Sequence, residues 1–149
     1  MDSLIYTKET KGRGVGVFAT RNVKKGESIS IFEGPPVVIN SFKGIPKEVQ
    51  DLLYPIGINQ YLIAKEPTVR INHSCDPNAG LKDEVTLIAM RNIKKDEEVT
   101  FDYSTVTADE WELHCSCGAK SCRKVIRKYS DLDDEIKEKY SDYTPDWIK

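Results

Sequence analysis

The chain has 149 residues, of which 39% are hydrophobic and 31% charged, and a formal net charge of −2. That leaves room for one domain with a core, is too apolar for a disordered chain, and provides no global basic field to drive non-specific nucleic-acid binding. Charged side chains interrupt every apolar run short of the ~20 residues of a transmembrane helix, so no membrane association is expected.

The first stretch, Met1 to Thr10 (M-D-S-L-I-Y-T-K-E-T), lacks the basic start and apolar run of a secretory signal. An intracellular location is expected, cytoplasmic in preference to nuclear. Four cysteines in that setting read as thiols or metal ligands rather than disulfides. Ala19 to Ile29 (A-T-R-N-V-K-K-G-E-S-I) is echoed 70 residues later by Ala89 to Val99 (A-M-R-N-I-K-K-D-E-E-V). Apolar residues precede each copy and β-prone runs follow it, which predicts two similar arms of strand, polar turn and strand. Gly26 is free to take a positive φ in the first turn. Between the arms, Pro46 to Tyr54 predicts a short helix with Val49, Leu52 and Leu53 on one face behind a first-turn proline. Near the end, Leu132, Ile136 and Tyr140 recur every four residues, with Ser130 as the expected N-cap and acids in the first turn. The remainder is short strands punctuated by Gly, Pro and Asn, so the class is mainly β with short helices.

Cys115, Cys117 and Cys122 form C-x-C-x4-C, a spacing that lets three thiolates converge on a tetrahedral ion from a tight loop. Cys75, His73 and His114 are candidates for the fourth corner. A structural site is normally closed, and Cys75 is the one remaining cysteine, so an all-cysteine zinc site is predicted, clamping the C-terminal segment onto the middle of the chain. The plainer alternative leaves Cys75 as a small buried hydrophobe. Cys75 lies in Arg70 to Asn78 (R-I-N-H-S-C-D-P-N), a polar knot that fits an elaborate turn as well as a site. A Ser-His or Cys-His nucleophile is disfavoured there, because sequence neighbours seldom face each other.

These residues carry a resemblance to the SET-domain protein-lysine methyltransferases with a post-SET segment. Four motifs occur in that family's order: G-V-G-V-F-A at Gly14 to Ala19, R-I-N-H-S-C-D-P-N at Arg70 to Asn78, D-E-E-V-T-F-D-Y at Asp96 to Tyr103, and the C-x-C-x4-C. The resemblance implies a β-clip-like fold of small curved sheets with a C-terminal pseudo-knot. It divides the chain into a SET domain at 1–108, a post-SET zinc-binding segment at 109–125 and a helical tail at 126–149 packed on the same domain. It implies transfer of methyl from S-adenosylmethionine to a lysine of a protein substrate, histone-like or other, by a monomer or homodimer without direct nucleic-acid contact. Arg13, Gly14, Val15 and Gly16 would approach the cofactor, Asn72 and His73 would hydrogen-bond it, and residues after Cys115 would pack on its adenine. Tyr103 would be the active-site tyrosine, Tyr61 would line the lysine channel, and Phe101 would tune how many methyl groups fit. Zinc would sit on Cys75, Cys115, Cys117 and Cys122.

The chain departs from the family in reading Ile31-Phe32-Glu33-Gly34 where a tyrosine is frequent, and Arg123-Lys124 where many relatives carry Arg-Gly. Two rivals stand beside the enzyme. One is a catalytically silent module of the same shape that binds a lysine-bearing partner. The other is a zinc-stabilised interaction or nucleic-acid protein, supported by the run Arg123 to Lys128 and opposed by the net charge.

Overall fold

The computed structural model describes residues 3–149; Met1 and Asp2, which begin the stretch inspected for a secretory signal, lie outside the described residues. The strands are short, as the spacing of Gly, Pro and Asn requires. Strands β1 (Ile5–Thr10) and β2 (Gly14–Ala19) form an antiparallel hairpin. Then come β3 (Ser28–Ile31), β4 (Pro36–Val38), a one-turn helix α1 (Lys47–Gln50), β5 (Leu53–Gly57) and β6 (Gln60–Ile63). The second half carries β7 (Asn72–His73), β8 (Ala79–Leu81), β9 (Thr86–Ala89), β10 (Thr100–Phe101), β11 (Leu113–His114), β12 (Val125–Ile126) and helix α2 (Asp134–Lys139). They assemble as five small sheets: β1-β2, β3-β9-β8, β4-β6-β5, β11-β12 and a parallel pair β10-β7. The mainly β class with short helices is thus found. No helix among the described residues is long and apolar enough to cross a membrane.

The echoed segments do more than resemble each other, because they clasp. Val23 and Ile93 exchange both backbone hydrogen bonds at 2.8 Å. The Asn92 Oδ1 accepts from the Lys25 N–H and the Asn22 Oδ1 from the Lys95 N–H, each at 2.9 Å. Within each turn a glutamate accepts the N–H three residues back, Glu27 from Lys24 and Glu97 from Lys94, at 3.1 Å. Arg21 pairs with Glu27 and Arg91 with Glu97. Gly26 and Asp96 hold the equivalent positive φ, 87° and 68°. The echo is therefore a local pseudo-two-fold in which each copy satisfies the other's turn. Its apolar side chains, Val23 and Ile93, are 1% exposed and belong to one core with Val17, Leu81, Leu87 and Val99.

Two helix expectations need adjustment. The first helix covers Lys47–Gln50 only; Leu53 instead starts β5, pairing with Ile63, and one helical face never forms. Cross-strand pairing with β6 outweighs four residues of weak helix propensity. At the C-terminus Ser130 lies in a 3-10 turn (Tyr129–Asp131), and the N-cap of α2 is Asp133, with no side-chain capping bond. Leu132 and Tyr140 are buried as expected, but Leu132 precedes the helix, and Ile136 is only half-buried.

Candidate active site and metal centre

Both polar motifs meet where β7 runs parallel to β10, with Asn72 opposite Thr100 and His73 opposite Phe101. Asn78, 2% exposed, secures the crossing: its amide donates to the Glu98 carbonyl at 2.7 Å and its Oδ1 accepts the Thr100 N–H at 3.0 Å. Past the end of β10 the chain turns into a 3-10 helix (Tyr103–Val106) capped by Asp102, whose Oδ1 accepts the Ser104 N–H at 3.0 Å. That cap fixes where Tyr103 points.

A cleft of about 1070 Å³ opens beside this crossing. Arg13, Val15, Tyr61, Asn72, His73 and Tyr103 all line it. Gly14 and Gly16 are not among its walls. Gly16 instead lies under the cleft floor, where a Cβ would come within 2.8 Å of Glu98 Oε2 and Thr10 Cγ2 and 3.3 Å of Asn72 Nδ2. The floor is a small polar network. Glu98 accepts from Arg13 at 2.5 Å and from the Asn72 amide at 2.9 Å, and that amide also reaches the Val15 carbonyl at 3.3 Å.

The Tyr103 hydroxyl donates to the Ile71 carbonyl at 2.5 Å, and its ring lies among Phe101, His73 and Trp111, with centroids 5.1, 5.4 and 6.5 Å away. Burial, and secondarily the Glu98 charge, push its pKa well above the usual tyrosine value. It stays a neutral phenol. Tyr61, on β6, donates to Asp109 Oδ2 at 2.6 Å, and burial followed by that hydrogen bond raises its pKa as well. Phe101, expected as a tuner of the channel, is 4% exposed, lines the cleft and meets the ring of Phe32 edge-on at 5.7 Å. Phe32 in turn stacks on Tyr54 at 3.9 Å. Those two rings fill the wall at the departure Ile31-Phe32.

His73 is oriented inward. Its Nδ1 accepts the Tyr103 N–H at 3.0 Å, which leaves the proton on Nε2, 3.4 Å from Cys75 Sγ. Burial lowers its pKa to about 4, against the pull of Asp102 and with help from Arg123. The ring is thus neutral and occupied; only the His73 backbone remains for a ligand in the cleft.

Cys75, Cys115, Cys117 and Cys122 place their sulfurs within 4.8 Å of one another. A tetrahedral zinc with bonds of ~2.3 Å needs sulfur separations of about 3.8 Å, so the four fit that ion with small inward shifts. Neither His73 nor His114 belongs to the cluster. The β11-β12 hairpin carries it: the Cys115 N–H donates to the Lys124 carbonyl at 2.7 Å, and Ser121 and Arg123 bind the Cys75 carbonyl and Sγ at 3.3 Å. Burial pushes the Cys75 thiol up to about 12. For Cys117 burial acts upward too, but backbone N–H groups and the neighbouring thiols outweigh it and bring it to about 6.

Sequence reasoning missed three contributors. Arg123 grips the buried Asp102 with two hydrogen bonds of 2.8 and 2.9 Å and reaches Ser104 Oγ at 3.1 Å, tying the zinc hairpin to the turn that carries Tyr103. The Arg-Lys departure and the basic run hid this role. Trp111 and Asp109 also line the cleft, from a stretch with no motif of its own.

The SET domain family model matches residues 14–104, more than half of the chain. Among curated relatives, Histone-lysine N-methyltransferase 2D of Homo sapiens is 29% identical over 136 residues, 80% of this chain and 2% of its own length. Histone-lysine N-methyltransferase 2B of Homo sapiens is 31% identical over 144 residues, 82% of this chain and 5% of its own. The chain therefore spans only a few per cent of the length of these relatives. The solved structure of KRYPTONITE in complex with mCHH DNA, H3(1-15) peptide and SAH superposes with a TM-score of 0.64 at 22% identity, covering 85% of this chain and 30% of that one, a likeness of fold. With its motifs meeting at one crossing and the family model running through them, the chain belongs to the SET domain family.

Proposed function

We propose that the protein is an S-adenosylmethionine-dependent protein-lysine N-methyltransferase whose 1–108 region holds the active site, whose 109–125 segment binds zinc, and whose 126–149 tail completes the domain. The observation that carries this reading is the neutral phenol of Tyr103, locked onto the Ile71 carbonyl at the wall of a cleft that Asn72 and His73 also line. The cofactor would lie in the cleft beside Gly12, Arg13 and Val15, which line it. Arg13, Val15 and the backbone of Asn72 and His73 would hold it, and residues 111–117 would cover it. When bound, S-adenosylmethionine supplies a methyl group on a positively charged sulfur.

A lysine ammonium has no lone pair, and only roughly 1 in 2,500 is neutral at pH 7, so the site has to favour the neutral amine. Phe32, Phe101 and Tyr103 line the cleft with apolar surface that strips water from that amine. The Tyr103 hydroxyl donates its hydrogen bond to the Ile71 carbonyl, and its oxygen keeps lone pairs free to accept from the amine and align it. As a phenol it orients rather than deprotonates. The proton leaves to solvent before transfer. The substrate is a lysine-bearing protein, histone-like or other, and the enzyme acts inside the cell, in the cytoplasm by preference, as a monomer or homodimer. S-adenosylmethionine labelled in its methyl group, offered with a mixed pool of native cell proteins, tests the reading. Zinc-loaded wild type places label on lysine and Tyr103→Phe places far less. No label from either, with cofactor and zinc both bound, would make the protein a silent binding module.

A further inference from the structure

The tail beyond the zinc hairpin ends in a residue that shares the cleft. Trp147 lines it together with Tyr61 and Tyr103, and among the described residues its Nε1 is the one buried side-chain nitrogen or oxygen without a hydrogen-bond partner. Such an orphan is rare in a folded chain and unfavourable, and it calls for an acceptor. The tail is packed against the domain. Tyr140 is 2% exposed, Pro145 is fully buried, and the Thr144 hydroxyl donates to the Tyr140 carbonyl at 2.7 Å. Tyr143 lies so close over Gly80 that a Cβ there would come within 2.6 Å of it. The last turn, Asp146–Ile148, then packs on β5, the strand that brings Tyr54 and Pro55 to the cleft. The indole is therefore delivered by the fold to the wall on the β5 side.

We propose that Trp147 is a substrate-binding residue: its indole N–H donates to a backbone carbonyl of the protein segment that carries the target lysine. This rests on the methyltransferase reading. A polypeptide entering the cleft brings a carbonyl at every residue, and the indole has only to turn enough to uncover one buried N–H. The partner is thus a main chain, and the side chains of the substrate are read elsewhere.

Trp147→Phe keeps a ring and removes the N–H. In transfer of labelled methyl to the mixed protein pool, this variant should need about 5-fold more protein for half-saturation, the ~1 kcal/mol of one neutral hydrogen bond, with half-saturating cofactor and maximal rate unchanged. An unchanged half-saturating protein concentration, in a variant that binds cofactor and zinc normally, would overturn the proposal. Polylysine, which carries no tryptophan, gives a readout independent of transfer. In Trp111→Phe, where Trp147 is the one remaining tryptophan, it should shift the indole emission. That shift without methyl transfer by wild type would sink the enzyme reading and leave the tail's contact standing. No shift would remove the contact.

Discussion

Replacing Arg123 by Ala would leave the Asp102 carboxylate, 1% exposed at its side chain, with its Ser104 N–H and without both guanidinium bonds. Breaking a buried pair by deleting one partner costs ~3–5 kcal/mol, because the remaining charge stays buried. Arg123 is 20% exposed, and water entering its place offsets part of that, so about 3 kcal/mol is expected. For a domain of this length that lowers the melting temperature by roughly 6–12 °C. Thermal melts of zinc-loaded protein at neutral pH measure it. The same variant should lose methyl transfer out of proportion to its stability, since Asp102 caps the turn that aims Tyr103. The double variant Asp102→Asn with Arg123→Met removes both charges and should recover more than half of the lost stability. A melting point for Arg123→Ala within about 2 °C of wild type, or no recovery in the double variant, would refute the argument.

Three further outcomes are expected. Chelation of zinc, or Cys117→Ser, should unravel residues 109–125 and abolish cofactor binding, followed by metal content and cofactor titration, because structural zinc contributes ~10–16 kcal/mol to folding in small sites. Gly16→Ala should destabilise by about 1–3 kcal/mol in urea unfolding, since its Cβ would press on Glu98 and Thr10 at 2.8 Å. The buried phenols of Tyr54, Tyr61, Tyr103 and Tyr140 all have raised pKa values, chiefly from burial. The stability they add is fully present below the unfolded value of ~10 and is lost as pH rises through the higher native values, so melting points should hold to about pH 10 and fall steeply above it.

The motifs made the family and the metal cluster legible because both depend on short, dense residue patterns. The four cysteines converge from two segments 40 residues apart, and the closed-site rule was enough to choose Cys75 over the histidines. The roles of neighbours within a motif were less legible. Asn72 and His73 were expected to hydrogen-bond the cofactor through backbone and side chain; the His73 ring is engaged by the Tyr103 N–H and Cys75, and spacing does not say which way an imidazole turns. Arg123 and Asp109 escaped because each acts through a partner far away in sequence, Asp102 and Tyr61. The echo was visible as two similar arms, whereas their mutual clasp depends on a crossing that no local pattern encodes.

That clasp bears on how the chain comes to be folded. Its asparagine bonds join residues 67 and 73 positions apart, so neither arm can complete its own turn until most of the domain has been synthesised and brought together. Closing so long a loop is an entropic toll met before any reward, and it places the domain among slow folders. A nascent chain halted before residue 92 would carry the first arm with its Lys25 amide unanswered, offering no half-domain that could persist alone. The two copies are also bound to change together over generations. Altering Asn22 would injure the turn at Lys95 rather than its own, so a repair would be expected to arise on the far side of the molecule.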